Sequence, residues 1–232
     1  MNKQSNSYTV IYIIVMVIVV GAALAFVSMS LRDRQTDNIN ADKMRQILAS
    51  AHITPGTDIK ADYARYITDS FVVNDAGERV EGAAFDIKVA EQVKLPADTR
   101  ALPVFVATMD DKSTKYILPV YGAGLWGPIW GYVAINDDGS TIYGAYFAHE
   151  SETPGLGAEI AKPAFSDKFI GKQLFKNGVF RSVAVVKAGQ KPGDDADYID
   201  GKSGGTITSK GVGAMLYDCL QPYAPFLQTL KK

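Results

Sequence analysis

Hydrophobic positions at the start of the chain form one unbroken run, because no charged residue occurs from Ser5 to Leu31. A helix of about 20 apolar residues is about 30 Å long, which matches the thickness of a bilayer's hydrocarbon core. Backbone groups in lipid must bond to one another, so such a run is expected to be helical. The pattern predicts a short tail over residues 1–7, a transmembrane helix over 8–31 and a globular domain over 32–232.

Two features of this segment leave alternatives open. A cleaved signal peptide would also be apolar, and Ala23-Leu24-Ala25 offers small residues for cleavage. The run is long, however, and only Lys3 precedes it, which favours an uncleaved anchor. More positive charges follow the segment than precede it, so the positive-inside rule favours a cytoplasmic domain. The basic residues that follow are Arg32, Arg34, Lys43 and Arg45.

After the apolar run the hydrophobic period changes. Residues 41–52 carry apolar side chains at helical spacing, and Pro55 and Gly56 end that predicted helix. Short apolar runs then predict strands, several of them separated by turns rich in Asn, Asp and Gly. The predicted strands are 71–73, 104–108, 115–121, 132–135, 141–147 and 180–186.

The last apolar pattern is helical again. Apolar residues from Val212 to Leu220 fall at i, i+3, i+4, i+7 and i+8, which is one face of an amphipathic helix that Pro222 interrupts. A short helix is predicted over 165–170, and the polar stretch from Lys187 to the final helix is predicted to be a loop. Strands that follow one another through turns pair antiparallel. The whole pattern predicts an α+β domain with a mainly antiparallel sheet flanked by helices.

Charge and composition exclude several classes of function. Lys and Arg number 24 against 25 Asp and Glu, and this formal net charge of -1 gives no reason to expect nucleic acid as a partner. Cys219 is the sole cysteine, which excludes an internal disulfide and a cysteine-rich metal or iron–sulfur site. His52 and His149 are far apart in the sequence, so no metal site is expected.

Two motifs invite a catalytic interpretation but support it poorly. Residues 122–127, GAGLWG, match G-x-G-x-x-G, yet Pro128 and a strand-like run follow where a dinucleotide-binding fold needs a helix. The run His149-Glu150-Ser151-Glu152 has residue types found in hydrolases, but neighbours along a strand point to opposite faces. No catalytic residue is predicted.

The stretch DGKSGGTITSKGV, from Asp200 to Val212, places glycines and hydroxyl groups where the last helix begins. The first turn of a helix presents unpaired N–H groups and the positive end of its dipole, and Gly204 and Gly205 leave room for a phosphoryl group. The alternative is that Thr206 or Thr208 simply caps the helix. The lysines available to offset a phosphate charge are Lys187, Lys202 and Lys210.

An ordered set of motifs resembles a known family. SGGT at 203–206, followed by ITS, is similar to the S/T-G-A-T-x-T motif at which a flavin transferase attaches FMN to threonine. With GAGLWG, HESETPGLGAEI at 149–160 and FIGK at 169–172, it resembles the C subunits of the sodium-translocating NADH:quinone reductases. The G subunits of the related Rnf electron-transport complexes have similar motifs. One departure is Gly205, which stands where the motif normally has alanine.

The resemblance implies an FMN-binding domain with a covalently bound cofactor. Thr206 is expected to carry FMN through a phosphoester, and Asp200 matches the acidic residue that the flavin transferase's substrates usually have. The other residues expected to bind the FMN are Glu152, Thr153, Leu156, Gly157, Lys187, Ser203, Gly204 and Gly205.

The resemblance also implies a place in a membrane redox complex. The chain would be a flavoprotein subunit, without independent catalysis, of a translocase that couples electron transfer from NADH to quinone with sodium export across the bacterial inner membrane. Its expected partners are an iron–sulfur electron donor, another flavin-bearing subunit as acceptor, the flavin transferase during maturation and the lipid bilayer. In this family the domain lies on the periplasmic side; we adopt that side because one marginal charge count is weak evidence.

Two alternatives remain. The same flavin chemistry would serve an Rnf-type complex, in which ferredoxin and NAD form the redox couple. A membrane-tethered binding module without a cofactor would belong to a different class of protein and would be colourless.

Overall fold

The computed structural model describes residues 6–230, which divide between Lys43 and Met44 into two compact units. Most of the predicted tail, residues 1–5 with Lys3, lies outside the described residues.

A 45-residue helix, α1 (Asn6–Ser50), contains the apolar run and continues past it. Its most apolar window has a mean hydropathy of 3.1, and α1 is the one helix among residues 6–230 that is long and apolar enough to cross a membrane. The helix predicted over 41–52 is the last part of α1 and not a separate element. No glycine or proline interrupts the sequence between Leu31 and Ser50, so nothing ends the helix there.

A left-handed residue closes α1. His52 has a φ of 57°, and the N–H groups of His52 and Ile53 donate to the carbonyls of Ala49 and Leu48, each at 3.0 Å. This pair of bonds is the Schellman arrangement, which satisfies carbonyls at the end of a helix. Ile53, the next residue, is buried in the domain and fixes the direction of the chain.

Residues 44–230 form an α+β domain built on an antiparallel sheet, which confirms the predicted fold class. Within the described chain this sheet has six strands in the order β2-β1-β3-β4-β5-β6, and every neighbouring pair is antiparallel. Leu118, for example, pairs with Val133, which pairs with Ala145. The strands are β1 (Ile67–Val73), β2 (Arg79–Val80), β3 (Leu102–Thr108), β4 (Thr114–Ala123), β5 (Pro128–Asn136) and β6 (Ile142–His149).

The single strand predicted over 180–186 is divided in two. Ser182 has a φ of 60°, outside the range of regular strands, and it separates β8 (Val179–Phe180) from β9 (Val183–Val186). β8 pairs with β7 (Phe175–Lys176), whereas β9 pairs in parallel with β10 (Asp197–Asp200). β10 lies in the stretch predicted to be a loop, so that prediction is wrong for these four residues.

The core lies between the sheet and helix α5 (Thr206–Leu220). Two glycines let α5 approach its neighbours closely. A β-carbon on Gly211 would clash with the carbonyl oxygen of Ala123 in β4, and one on Gly213 would lie 3.2 Å from the nitrogen of Val185 in β9. The face of α5 predicted to be apolar is buried, and its residues are Val212, Met215, Leu216, Cys219 and Leu220.

Shorter helices complete the domain. Pro222 follows the end of α5, as predicted, and Tyr223 beside it is buried with its hydroxyl donating to the carbonyl of Pro103 at 2.9 Å. The predicted short helix before Gly171 is also present. The remaining helices are α2 (Ile59–Tyr66), α3 (Val89–Gln92), α4 (Pro163–Ser166), α6 (Ala224–Thr229) and the 3-10 helices Ala84–Asp86, Ala97–Thr99, Gly157–Ala161, Asp167–Phe169 and Gln221–Tyr223.

Candidate functional site

The start of α5 is the centre of the candidate site. Gly205 is the N-cap residue, and no side chain there accepts a hydrogen bond from the helix. Thr206 is therefore the first residue of the helix, with an exposed side chain, and Thr208 lies in the first turn. Neither threonine is the N-cap, so the capping interpretation of this stretch is wrong. The first turn consequently presents N–H groups that no capping side chain satisfies.

Glycines shape the approach to Thr206. Gly204 has a φ of 79°, a left-handed conformation that side chains rarely adopt, and this turns the chain from the loop into the helix. A β-carbon on Gly204 would lie 2.6 Å from Cδ2 of Leu156. One on Gly205 would lie 2.8 Å from the carbonyl oxygen of Leu156. The two glycines therefore allow the loop at Leu156 and the start of α5 to lie side by side.

A buried carboxylate connects this helix start to two other segments. Glu152, in the loop after β6, is only 4% exposed. It accepts a hydrogen bond from the hydroxyl of Thr208 at 2.5 Å and from the N–H of Trp126 at 2.8 Å. The N–H of Glu152 itself donates to Nδ1 of His149 at 3.3 Å. The residues of three motifs found separately in the sequence thus meet at one side chain.

The hydrogen bonds to Glu152 favour its ionised form. Burial on its own would raise the pKa of Glu152, but hydrogen bonds from the Thr208 hydroxyl and from the backbone of Trp126 and Leu125 outweigh it and lower the pKa. Space for the carboxylate comes from Gly124 and Gly157, because a β-carbon on either would clash with its oxygens. The glycines of both motifs are therefore needed to hold a charged group below the surface.

An apolar cleft opens on one side of Thr206 and contains about 510 Å³. Large apolar side chains stand exposed around it, among them Trp126 at 67% and Ile207 at 59%. The aromatic residues Trp130 and Tyr146 do not line this cleft, and Trp130 donates its indole N–H to Gln46 at 3.0 Å. The residues that line the cleft are Leu125, Trp126, Glu152, Thr153, Leu156, Gly157 and 204–208.

A smaller, basic cleft of about 390 Å³ is also lined by Thr206. In the wall of this cleft, the hydroxyl of Ser209 accepts a hydrogen bond from the N–H of Lys202 at 3.0 Å. The ammonium group of Lys202 lies 3.6 Å from the carboxylate of Glu159. The lining residues are Val185, Val186, Lys187, Ala188, Gly201, Lys202, Ser203, Thr206, Ser209 and Lys210.

The residues predicted for the site therefore gather around Thr206. Asp200 stands apart: it is exposed at the end of β10, and its carbonyl accepts a hydrogen bond from Lys168 at 3.0 Å. The apolar cleft contains the predicted Glu152, Thr153, Leu156, Gly157, Gly204 and Gly205, and the basic cleft contains Lys187 and Ser203.

Sequence reasoning did not find the contact between Glu152 and Thr208, which are 56 residues apart in the chain. Their spacing carries no periodic signal, and a lone glutamate in a glycine-rich loop is usually solvated. The one hint was that glycines flank both ends of the contact. Leu125 and Ile207 were also missed, since exposed apolar residues have no distinctive pattern.

Comparison with known proteins identifies the family. The FMN-binding domain family matches residues 124–221. The C subunit (NqrC) of the Na(+)-translocating NADH-quinone reductase of Vibrio anguillarum is 31% identical over 227 residues, covering 91% of this chain and 89% of the relative. That of Vibrio vulnificus is 35% identical over 202 residues, covering 80% of this chain and 79% of the relative. This chain belongs to the NqrC family of the Na(+)-translocating NADH-quinone reductases.

Solved structures of NqrC proteins have the same fold. The crystal structure of the Parabacteroides distasonis protein matches with a TM-score of 0.80 and 48% identity, covering 85% of this chain and 96% of the other. NqrC from Shewanella oneidensis matches with a TM-score of 0.67 and 28% identity, covering 83% of this chain and 97% of the other. The resemblance seen in the motifs is confirmed. The residues that match the FMN-binding domain include both clefts' glycines, the Glu152 loop and all of α5.

Proposed function

We propose that this chain is a membrane-anchored flavoprotein subunit that carries FMN on Thr206 through a phosphoester and relays electrons within a Na(+)-translocating NADH:quinone reductase. The observation that carries the proposal is the placement of one exposed hydroxyl, that of Thr206, between an apolar cleft and a basic one. FMN has a flat, largely apolar ring system and, once esterified, a negatively charged phosphodiester, so it needs these two environments side by side.

The phosphate end fits the first turn of α5. The N–H groups there have no capping side chain, and the helix dipole places positive potential at the same point. Lys187, Lys202 and Lys210 line the adjoining cleft and would offset the charge of a phosphodiester. The β-carbons that Gly204 and Gly205 lack would meet the loop at Leu156, so these glycines allow that loop to pack beside the first turn.

The ring end fits the apolar cleft. Leu125, Trp126 and Leu156 present exposed apolar surface around it, and burying such surface against a flat ring is favourable. In the unmodified chain these exposed side chains would otherwise cost free energy by contact with water. Leu156 lies beside Gly204 and is the residue we expect to touch the ring first.

Thr206 is a better acceptor than Thr208 because of its exposure. The Thr206 side chain is exposed, whereas Thr208 is 1% exposed and its hydroxyl donates to Glu152. Attachment needs an accessible oxygen. With a flavin dinucleotide as donor, the bond between Oγ1 and the flavin-side phosphorus forms, the pyrophosphate P–O bond breaks to release a nucleoside monophosphate, and the hydroxyl proton is released to solvent. Asp200, exposed six residues before Thr206, remains the proposed recognition residue for the flavin transferase.

Bound FMN would supply one- and two-electron redox chemistry, and the chain's own residues would supply position and electrostatics. Thr206 would retain the cofactor, the apolar cleft would orient the ring and exclude water from one face, and the lysines would balance the phosphate. No residue of this chain need act as acid or base during turnover. The chain would thus have no catalysis of its own, receiving electrons from an iron–sulfur subunit and passing them to another flavin-bearing subunit.

Helix α1 would anchor the chain in the bacterial inner membrane, with residues 8–31 in the bilayer and residues 32–232 on the periplasmic side. The length and hydropathy of α1 support the anchor. The periplasmic side follows the family and not the charge distribution, in which more lysines and arginines follow the apolar run than precede it.

The test is to co-express the full chain with a flavin transferase and to measure its intact mass. We expect the wild-type chain to gain the mass of one FMN attached through its phosphate. Thr206→Ala should lack this added mass, and Thr208→Ala should retain it. A protein that gains no mass, and no yellow fluorescence after denaturing electrophoresis, would instead fit a cofactor-free binding module. Sodium-dependent quinone reduction by the purified assembly would separate this complex from an Rnf-type one.

A further inference from the structure

The walls of the apolar cleft come from three segments that are distant in sequence. They are the turn between β4 and β5 at Leu125 and Trp126, the loop after β6, and the first turn of α5. Each segment contributes to the hydrogen bonding of one carboxylate, that of Glu152. Among the described residues this is the point at which all three are joined by a single side chain.

The buried carboxylate of Glu152 depends on its hydrogen bonds. An ionised carboxylate that is 4% exposed is costly to bury unless donors surround it. Its donors are the N–H of Trp126 at 2.8 Å and the hydroxyl of Thr208 at 2.5 Å. If any wall moved outward, a charged group would be left without its partner. The hydrogen bonds to Glu152 therefore fix the distances between the three walls of the cleft.

The same carboxylate distinguishes the two threonines. Thr208 is 1% exposed and its hydroxyl proton is committed to Glu152. Thr206 is two residues earlier, and its side chain is exposed between the two clefts. Glu152 thus lines the buried wall of the cleft, and each of its two oxygens accepts a hydrogen bond from another wall.

We propose that Glu152 is a positioning residue for flavin attachment: it holds the three cleft walls together and withholds the Thr208 hydroxyl, so that the FMN is transferred to Thr206. The inference rests on the proposed function, because it assumes that FMN is the group received. It adds an architectural role for Glu152, which also lines the cleft.

The test uses the full chain co-expressed with a flavin transferase, with the modified fraction read from intact mass and the position from peptide mapping. Glu152→Ala should lower the modified fraction at least fivefold, whereas Glu152→Gln, which can still accept from the backbone, should keep at least half. A folded Glu152→Ala chain modified on Thr206 to the wild-type extent would overturn the proposal.

Two controls separate positioning from general loss of stability. Glu150→Ala removes an exposed carboxylate two residues away and should leave the modified fraction unchanged. Val212→Ala weakens the buried face of the same helix and should lower the melting temperature without lowering the modified fraction. If Val212→Ala reduced flavin attachment as much as Glu152→Ala does, the role of Glu152 would be stability alone and the proposal would fail.

Amide hydrogen exchange in the unmodified chain keeps the two proposals distinguishable. The Trp126 amide should exchange at least tenfold faster in Glu152→Ala than in wild type or Glu150→Ala. Equal rates would overturn the positioning role whatever the flavin content. A wild-type chain that never acquires FMN but shows the expected exchange would contradict the proposed function and leave the role of Glu152 in shaping the cleft supported.

Discussion

Gly205 packs directly against the carbonyl group of Leu156: a β-carbon on Gly205 would lie 2.8 Å from that oxygen and 3.2 Å from the nitrogen of Gly157. The start of α5 and the loop after β6 are therefore in backbone contact beside the proposed FMN-bearing residue. In the flavin-attachment motif this chain resembles, the position normally holds alanine. Here the loop has closed over the space that a methyl group would occupy.

Gly205→Ala should therefore destabilise the chain although it restores the usual motif residue. The neighbouring atoms belong to the backbone and must shift, which typically costs about 1–3 kcal/mol. Gly193→Ala is the matched control, because a β-carbon there meets nothing within 4 Å. Urea unfolding followed by tryptophan fluorescence measures both variants. A Gly205→Ala chain as stable as Gly193→Ala would show that the contact is not tight.

The two threonines of the first turn should differ sharply in their contribution to stability. Thr208→Val leaves an oxygen of the buried Glu152 without its donor and should cost about 1–3 kcal/mol. Thr206→Val changes an exposed side chain and should alter the free energy of unfolding by less than about 0.5 kcal/mol. Equal effects in urea unfolding of the unmodified proteins would contradict the buried hydrogen bond.

Glu152 should make stability depend on pH in the acid range. Its pKa in the folded chain lies below the ordinary value of 4.5, so the unfolded chain binds more protons as the pH falls. The contribution of Glu152 is thus fully present above about pH 5 and is lost as the pH falls through its folded pKa. Glu152→Gln removes this titration, while Asp138 and Asp197, whose pKa values are also lowered, remain in both proteins.

The measurement is the free energy of unfolding of both proteins at about pH 5 and about pH 3. Wild type should lose more stability over this interval than Glu152→Gln. Identical losses would mean that the pKa of Glu152 is not lowered in the folded chain.

Gly211→Ala should destabilise the chain, against the expectation from helix propensity. In an exposed helix this change would gain about 1 kcal/mol. In α5 the new β-carbon would clash with the carbonyl oxygen of Ala123, so α5 must move away from β4, at a net cost of about 1–3 kcal/mol. A rise in melting temperature would show that α5 and β4 are not in close contact.

The sequence predicted those parts of the fold whose signal is periodic. The buried face of α5 and most strands of the large sheet follow from spacing alone, because one face of each is in the core. The change from apolar to polar residues before residue 41 resembles a boundary and predicts a separate helix over 41–52, but polar residues do not end a helix, and these residues belong to α1. Strand β10 was missed because its side chains are polar and its partner, β9, is parallel and distant along the chain.

The candidate site was predicted from ordered motifs, and its geometry was not. Gly204 and Thr206 could be placed at a helix start from local chemistry. That Glu152 bonds to Thr208 depends on how the loop after β6 packs against α5, which is a property of tertiary structure. The division of Lys187 and Leu156 between two clefts that share Thr206 has the same origin.

The most direct test of the central claim is the mass of the chain purified from its native membrane, followed by fragmentation of the peptide that contains residues 203–210. We expect one FMN, joined through its phosphate to Thr206. A chain whose mass is that of its amino acids alone, or an adduct on Thr208, would contradict it.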